Sequence, residues 1–171
     1  MSDYIFLFDL DATITKEEIL PVISKKIGKF NEIKKITETT MRGEIPFKES
    51  FLKRVNILKD IDVLEASSIV ENVELNKEIT NFITNNRERC YILTGNLDVW
   101  INKLMKKINM ENQVYSSKAQ VINNKISKVI SVVDKEFMVK QFVQPIVAIG
   151  DGDNDVGMAK HADIAIGFGR C

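Results

Sequence analysis

Short uninterrupted apolar runs alternate along this chain with stretches whose apolar residues recur every three or four positions. Four of the runs, Tyr4–Phe8, Tyr91–Leu93, Ile146–Ile149 and Ile164–Ile166, show no polar alternation. That pattern predicts strands covered on both faces, as in a parallel sheet. Between them, helical spacing predicts helices over residues 76–85, 97–108, 135–143 and 153–160. Strands alternating with helices predict an α/β fold built on a doubly wound parallel sheet.

One interval breaks the rhythm. About eighty residues separate the first run from Tyr91, far more than a single crossover requires. Within it Ile19, Leu20, Ile23 and Ile27 recur at helical spacing, as do Phe47, Phe51, Val55 and Leu58. Gly28 and Gly43 stand where helices should stop, and Pro46 suits the first turn of the next. These features predict a small helical insertion over residues 16–73, seated over one end of the sheet, with residues 1–15 and 74–171 forming the core. A second irregularity, residues 114–133, predicts a hairpin turning at Asn123-Asn124.

Composition narrows the partners. The 171 residues suffice for one domain with a modest insertion, and 44% apolar with 28% charged residues is ordinary for a chain that buries a core. Lys+Arg and Asp+Glu both number 24, with no polybasic run; this argues against nucleic acid or an anionic membrane as main partner, so any charge that matters is local. No apolar stretch approaches the ~18 residues of a membrane span. The two cysteines, Cys90 and Cys171, form no C-x-x-C pair, so a reducing cytoplasm is the expected compartment.

Candidate chemistry gathers at the predicted strand ends, where ligands bind in open α/β sheets. The first strand runs into Asp9-Leu-Asp11-Ala-Thr13, whose two carboxylates face one crevice and repel unless a cation or shared proton relieves them. The second runs into Thr94-Gly95-Asn96, a hydroxyl and backbone N–H groups suited to cradling phosphate, or an ordinary turn. Lys135 opens the helix before the third strand, which runs into Gly150-Asp151-Gly152-Asp153-Asn154-Asp155. A calcium loop is excluded, because its glycine and glutamate positions hold Val156 and Ala162. Acidic capping of the following helix is the plainer alternative.

Taken in order, Asp9/Asp11/Thr13, Thr94, Lys135 and Asp151 to Asp155 resemble the four motifs of the haloacid dehalogenase superfamily, specifically its aspartate-based phosphatases. Within the insertion, Glu18, Met41-Arg42-Gly43, Phe47 and Lys53-Arg54-Val55 resemble the cap of phosphoserine phosphatases. The resemblance implies a Rossmann-like core and a Mg²⁺-dependent phosphomonoesterase acting on phosphoserine or a similar small phosphorylated metabolite. It implies Asp9 as nucleophile, Asp11 as acid and base, and Thr94 and Lys135 as stabilisers of phosphoryl charge. The ion would be held by Asp9, the Asp11 carbonyl, Asp151 and Asp155. Substrate would be held by Glu18, Arg54, Met41, Phe47, Thr94, Gly95 and Asn154, with Glu18 taking an ammonium and Arg54 a carboxylate. The insertion would serve as a lid.

Other readings stay open at this stage. Glu18 and Arg54 also fit surface charges on amphipathic helices, and Glu17 competes with Glu18. The same core serves phosphatases and phosphotransferases of other small substrates. A non-catalytic module holding Mg²⁺ and a phosphorylated ligand is the alternative of a different class. Three features depart from the family pattern: Asn96 in place of glycine, expected to narrow the phosphate site; Asp153 in place of a small residue; and an end at Cys171, before a further strand and helix expected in the family. His161 reads as a surface residue, and Gly167-Phe-Gly169 is too short for a dinucleotide fingerprint.

Overall fold

A computed structural model describes residues 3–168. Its centre is β1 (Ile5–Phe8), flanked by β2 (Cys90–Leu97) and β5 (Ile146–Gly150), both parallel to it. Beyond β2 lie β3 (Val114–Ile122), parallel, and β4 (Lys125–Ser131), antiparallel; beyond β5 lies β6 (Ile164–Gly167). The order is β4-β3-β2-β1-β5-β6. The chain thus builds outward from β1 on one side and then returns to its other side, a reversal that opens a crevice at the carboxyl ends of the central strands.

Strict alternation within each central strand fills both faces. Ile5, Leu7, Leu93, Ile146 and Ala148 join Val139 and Met158 in one cluster, under α7 (Lys135–Val139) and α8 (Val156–Lys160). Phe8, Cys90, Ile92, Val147 and Ile149 face the other way, where α6 (Asp98–Lys107) contributes Trp100, Ile101, Leu104 and Met105. The same cluster continues into four helices between β1 and β2: α1 (Ile19–Ser24), α2 (Phe30–Met41), α3 (Phe47–Leu58) and α4 (Val63–Glu71). The chain then returns through α5 (Lys77–Asn85).

Two tethers hold these four helices. Where the chain leaves and re-enters the core, Thr15 bridges Leu75, Lys16 N–H donates to the Glu74 carbonyl (2.9 Å), and Asn76 N–H donates to the Ile14 carbonyl (2.9 Å). At the far end the β3–β4 turn docks on the α3–α4 loop: Val63 N–H donates to the Asn124 carbonyl (2.8 Å), and Ile126 N–H to that of Lys59 (3.2 Å).

The strands fall where the apolar runs predict them, but β6, expected to be covered on both faces, is an exposed edge strand with Ile164 46% and Ile166 48% exposed. The hairpin turns at Asn123 and Asn124, both left-handed (φ 50° and 59°) as a tight two-residue turn requires. Four helical expectations need correction. The helix over 135–143 stops at Val139, where the backbone tightens into turns in which Gln141 N–H donates to the Met138 carbonyl (3.0 Å) and Phe142 N–H to that of Val139 (3.3 Å), and Val143 is 95% exposed. The 153–160 helix is a 3₁₀ turn over Asp153–Asp155 followed by α8. Ile27 leaves the core (43% exposed), since the chain tightens to 3₁₀ over Lys25–Ile27 before Gly28 ends it at φ 66°. Pro46 precedes α3 as its cap rather than entering its first turn. Among the described residues no helix is long and apolar enough to cross a membrane.

Candidate active site

The β1–β5 register aligns Phe8 with Ile149, so Asp9 leaves β1 where Gly150 ends β5, and Asp9 N–H donates to the Ile149 carbonyl (2.9 Å). Residues Leu10–Ile14 then form one wide turn, closed by Thr15 N–H donating to the Leu10 carbonyl (3.0 Å). Ala12 sits in it at φ 53°, a conformation costing an alanine about 1 kcal/mol. The turn brings the Asp11 carboxylate into the same cavity as Asp9. Its Oδ1 accepts from Ile19 N–H at 2.7 Å, and its Oδ2 accepts from Asn96 Nδ2. At Gly150 a Cβ would lie 2.2 Å from Asp155 Oδ2, so only glycine lets that carboxylate fold back on the strand end. There Asp155 Oδ2 accepts from Asp151 N–H at 3.0 Å.

Beneath these carboxylates Lys135 Nζ donates to Asp9 Oδ1 and Asp155 Oδ1, both at 2.6 Å, with the lysine 5% exposed. Burial alone would discharge it, but the two carboxylates outweigh burial and hold its pKa above the ordinary lysine value. Asp9 is pushed well upward by burial first, with Lys135 opposing and the Asp155 and Asp11 charges adding to the rise. Asp11 is raised by burial, with the Ile19 N–H bond opposing. Carboxylate oxygens of Asp9, Asp151 and Asp155 lie within 4.8 Å of one another. An all-oxygen donor set of this charge suits a hard divalent cation such as Mg²⁺, which would also relieve the repulsion that raises Asp9.

Above the carboxylates the helical insertion closes a cavity of about 240 Å³, whose lining includes Asp9, Asp11, Glu18, Met41, Phe47, Arg54, Gly95, Asp151 and Asn154. Arg54 is 5% exposed; its Nη1 donates to Thr37 Oγ1 (3.0 Å) and its Nε to the Ser50 carbonyl (3.4 Å). No ion pair holds its guanidinium among the described residues, and burial lowers its pKa while the Glu18 and Asp11 charges oppose. Glu18 has its pKa raised well above the ordinary value by burial, then by Asp11, Asp9 and Asp151. Glu17 is instead exposed and lies 3.8 Å from Lys25. The Phe47 ring stacks on Phe51 and rests against Gly95, where a Cβ would lie 2.2 Å from its tip.

The structure therefore brings the expected residues to one place, with differences. Thr94 is fully buried below the cavity rather than lining it, and its Oγ1 accepts from Asn96 N–H (3.2 Å). The Asp11 carboxylate stands apart from the Asp9/Asp151/Asp155 trio, which leaves its carbonyl as the candidate donor. Asn96 turns onto Asp11, and the Thr13 hydroxyl is buried without a partner among the described residues. The Asp153 side chain, Gly169 and Cys171 lie outside the described residues. His161 is on the surface, 3.0 Å from Glu136. The Asn96–Asp11 and Arg54–Thr37 contacts had no signal in the sequence, since partners 85 and 17 residues apart meet only on folding.

A wide turn with paired aspartates after β1, a buried lysine and an acidic cluster after β5 define a hydrolase core. Residues 5–163 match the model of the haloacid dehalogenase-like hydrolases, and the chain belongs to that family. It is 28% identical to a phosphoserine phosphatase of Methanocaldococcus jannaschii over 96% of its own length and 84% of that protein's. It is 27% identical to another from Archaeoglobus fulgidus, again over 96% of itself but only 52% of the relative. The fold superposes on a phospho-aspartyl intermediate analogue of phosphoserine phosphatase with a TM-score of 0.83 at 24% identity, covering 97% of this chain and 86% of that one.

Proposed function

We propose that the protein is a Mg²⁺-dependent phosphomonoesterase that works through an aspartyl-phosphate and takes phosphoserine or a similar small phosphorylated amino acid. The observation that carries this reading is one cavity holding Asp9 and Asp11 at its floor and an unpaired, buried Arg54 in its wall beside Glu18. A cavity of about 240 Å³ is smaller than the ~300–1,000 Å³ usual for drug-sized ligands, which favours a small metabolite. Arg54 fits a substrate carboxylate and Glu18 an ammonium, so the wall selects an amino acid while the floor takes the phosphate. The phosphoserine phosphatases among its relatives support the same assignment.

In this mechanism an Asp9 carboxylate oxygen attacks phosphorus as the ester P–O bond breaks, and Asp11 delivers a proton to the departing oxygen. Water then attacks the aspartyl-phosphate, Asp11 takes its proton, and Asp9 is released with free phosphate. Lys135, beneath Asp9, would offset phosphoryl charge, Thr94 would support the turn from below through its bond to Asn96 N–H, and Gly95 lets the backbone approach closely. Mg²⁺, held by Asp9, Asp151, Asp155 and the Asp11 carbonyl, would supply positive charge against the phosphate oxygens. The helical insertion acts as the lid that excludes water during transfer.

The test is phosphate release with Mg²⁺ from L-phosphoserine against a panel of phosphorylated small molecules. Release from phosphoserine should vanish in Asp9→Asn. In Arg54→Ala, kcat/KM for phosphoserine should fall at least ~100-fold, with a much smaller loss on an aryl phosphate that has no carboxylate. Equal losses on both would remove Arg54 from substrate recognition. Folded protein that releases phosphate from nothing would favour the non-catalytic reading.

A further inference from the structure

Asn96 follows the strand-end threonine and glycine of β2 and is 3% exposed. Its Nδ2 donates to Asp11 Oδ2 and lies 3.5 Å from Thr94 Oγ1. The amide is placed with its nitrogen towards Asp11 and its oxygen away. That oxygen, Oδ1, is buried with no partner among the described residues. A buried acceptor without a donor costs stability, a cost that an apolar residue or glycine at this position would avoid. Packing alone therefore does not account for the side chain.

Its effect on Asp11 does. Aspartate χ2 turns in a broad, two-fold well, so one hydrogen bond leaves the carboxylate plane free to swing. Here Oδ1 is held by Ile19 N–H (2.7 Å) at the first turn of α1, and Oδ2 by Asn96 at the end of β2. Two donors from two separate elements fix the plane. We propose that Asn96 is a positioning residue, locking the Asp11 carboxylate in the orientation from which it moves protons in both half-reactions. The inference rests on the phosphomonoesterase reading above, in which Asp11 is acid and then base. In the first half, the Asp9–phosphorus bond forms, the ester bond breaks and the Asp11 proton goes to the leaving oxygen. In the second, the water–phosphorus bond forms, the Asp9–phosphorus bond breaks and the water proton goes to Asp11.

The leaving group separates positioning from packing. An alkoxide such as that of serine needs the proton, whereas p-nitrophenolate departs without it. Because kcat/KM covers only steps through leaving-group departure, it isolates the first half-reaction. Asn96→Ala should lower kcat/KM for L-phosphoserine about tenfold or more, and for p-nitrophenyl phosphate at most about threefold. The second half-reaction still needs Asp11, so with the aryl substrate kcat should fall and a burst of about one nitrophenolate per enzyme should precede steady state. Asn96→Leu, which fills the same space without a donor, should behave alike, with thermal unfolding confirming a folded protein. Equal losses of kcat/KM on both substrates, with no burst, would overturn the positioning role alone. Wild-type protein inactive on both would overturn the phosphatase reading and this inference with it.

Discussion

Lys135 joins the two carboxylates that most need a cation, at 2.6 Å from each and almost out of water. Removing one partner of a buried ionic group costs far more than the group contributes net, because the charges left behind are stranded. Lys135→Met should therefore destabilise the metal-free protein by about 3–5 kcal/mol, read by urea unfolding in EDTA. Mg²⁺ should restore part of that stability, since Asp9, Asp151 and Asp155 remain together, but not the phosphatase activity. Complete rescue of activity by Mg²⁺ would make the lysine a mere counter-ion. At this scale the sequence was most informative where chemistry sits next to a strand end: Asp9, Asp11, Lys135, Asp151 and Asp155 gather at one crevice, with Thr94 buried beneath it. It marked Asn96 only as a departure expected to narrow the phosphate site, not as a partner of Asp11, and was silent on Thr37, because such roles depend on the partner met on folding.

Phe47 opens α3 and brings the helical insertion down onto the core, its ring against Gly95 and stacked on Phe51 at 5.6 Å. Gly95→Ala places a methyl group 2.2 Å from the ring tip, and the ring, a mobile end, must swing away. The expected result is a rise in KM of about tenfold with little change in thermal unfolding, because the clash is with a side-chain end and not with backbone. Combining it with Phe47→Ala tests the cause: if the clash is responsible, the added methyl costs nothing once the ring is gone. A double variant still impaired by the methyl would show that Gly95 matters through its own backbone. Helix existence was legible in this region from the spacing of Ile19, Leu20 and Ile23 and of Phe47, Phe51, Val55 and Leu58, all buried but Phe47. Helix ends were less so. Ile27 and Val143 continue an apolar pattern that the backbone abandons, at the 3₁₀ turn before Gly28 and in the turns after Val139, because a terminus is decided by turn chemistry rather than by periodicity.

Net charge cancels over the whole chain, 24 against 24, yet Asp9, Asp11, Glu18 and Asp151 share a cavity with Arg54 as its one lining cation among the described residues. Asp9, Asp11 and Glu18 have pKa values raised above ordinary carboxyl values, by burial first and, more weakly, by neighbouring carboxylates, Asp155 among them for Asp9 and Asp11. The sign of the linkage follows. From about pH 4, the usual carboxyl range, up through the raised values, the folded protein binds more protons than the unfolded chain, so stability falls as pH rises. Exposed pairs such as Lys16–Glu74 and Arg42–Glu44 lower the pKa of their glutamates and act in the opposite sense, but screening by solvent makes them weak. In EDTA, Tm should therefore drop as pH rises from about 4 through the raised carboxyl values. Mg²⁺ competes with protons for the same carboxylates, so it should raise Tm more at pH 7.5 than at 5.5, with about 2.7 kcal/mol expected at 100 times its Kd. Asp151→Asn should weaken that Mg²⁺ response, and Glu18→Gln should flatten the pH slope in EDTA while retaining it. Tm unchanged or rising across this range in EDTA would mean that the cavity ionises without cost, and that its carboxylates do not depend on a cation to be gathered in one place.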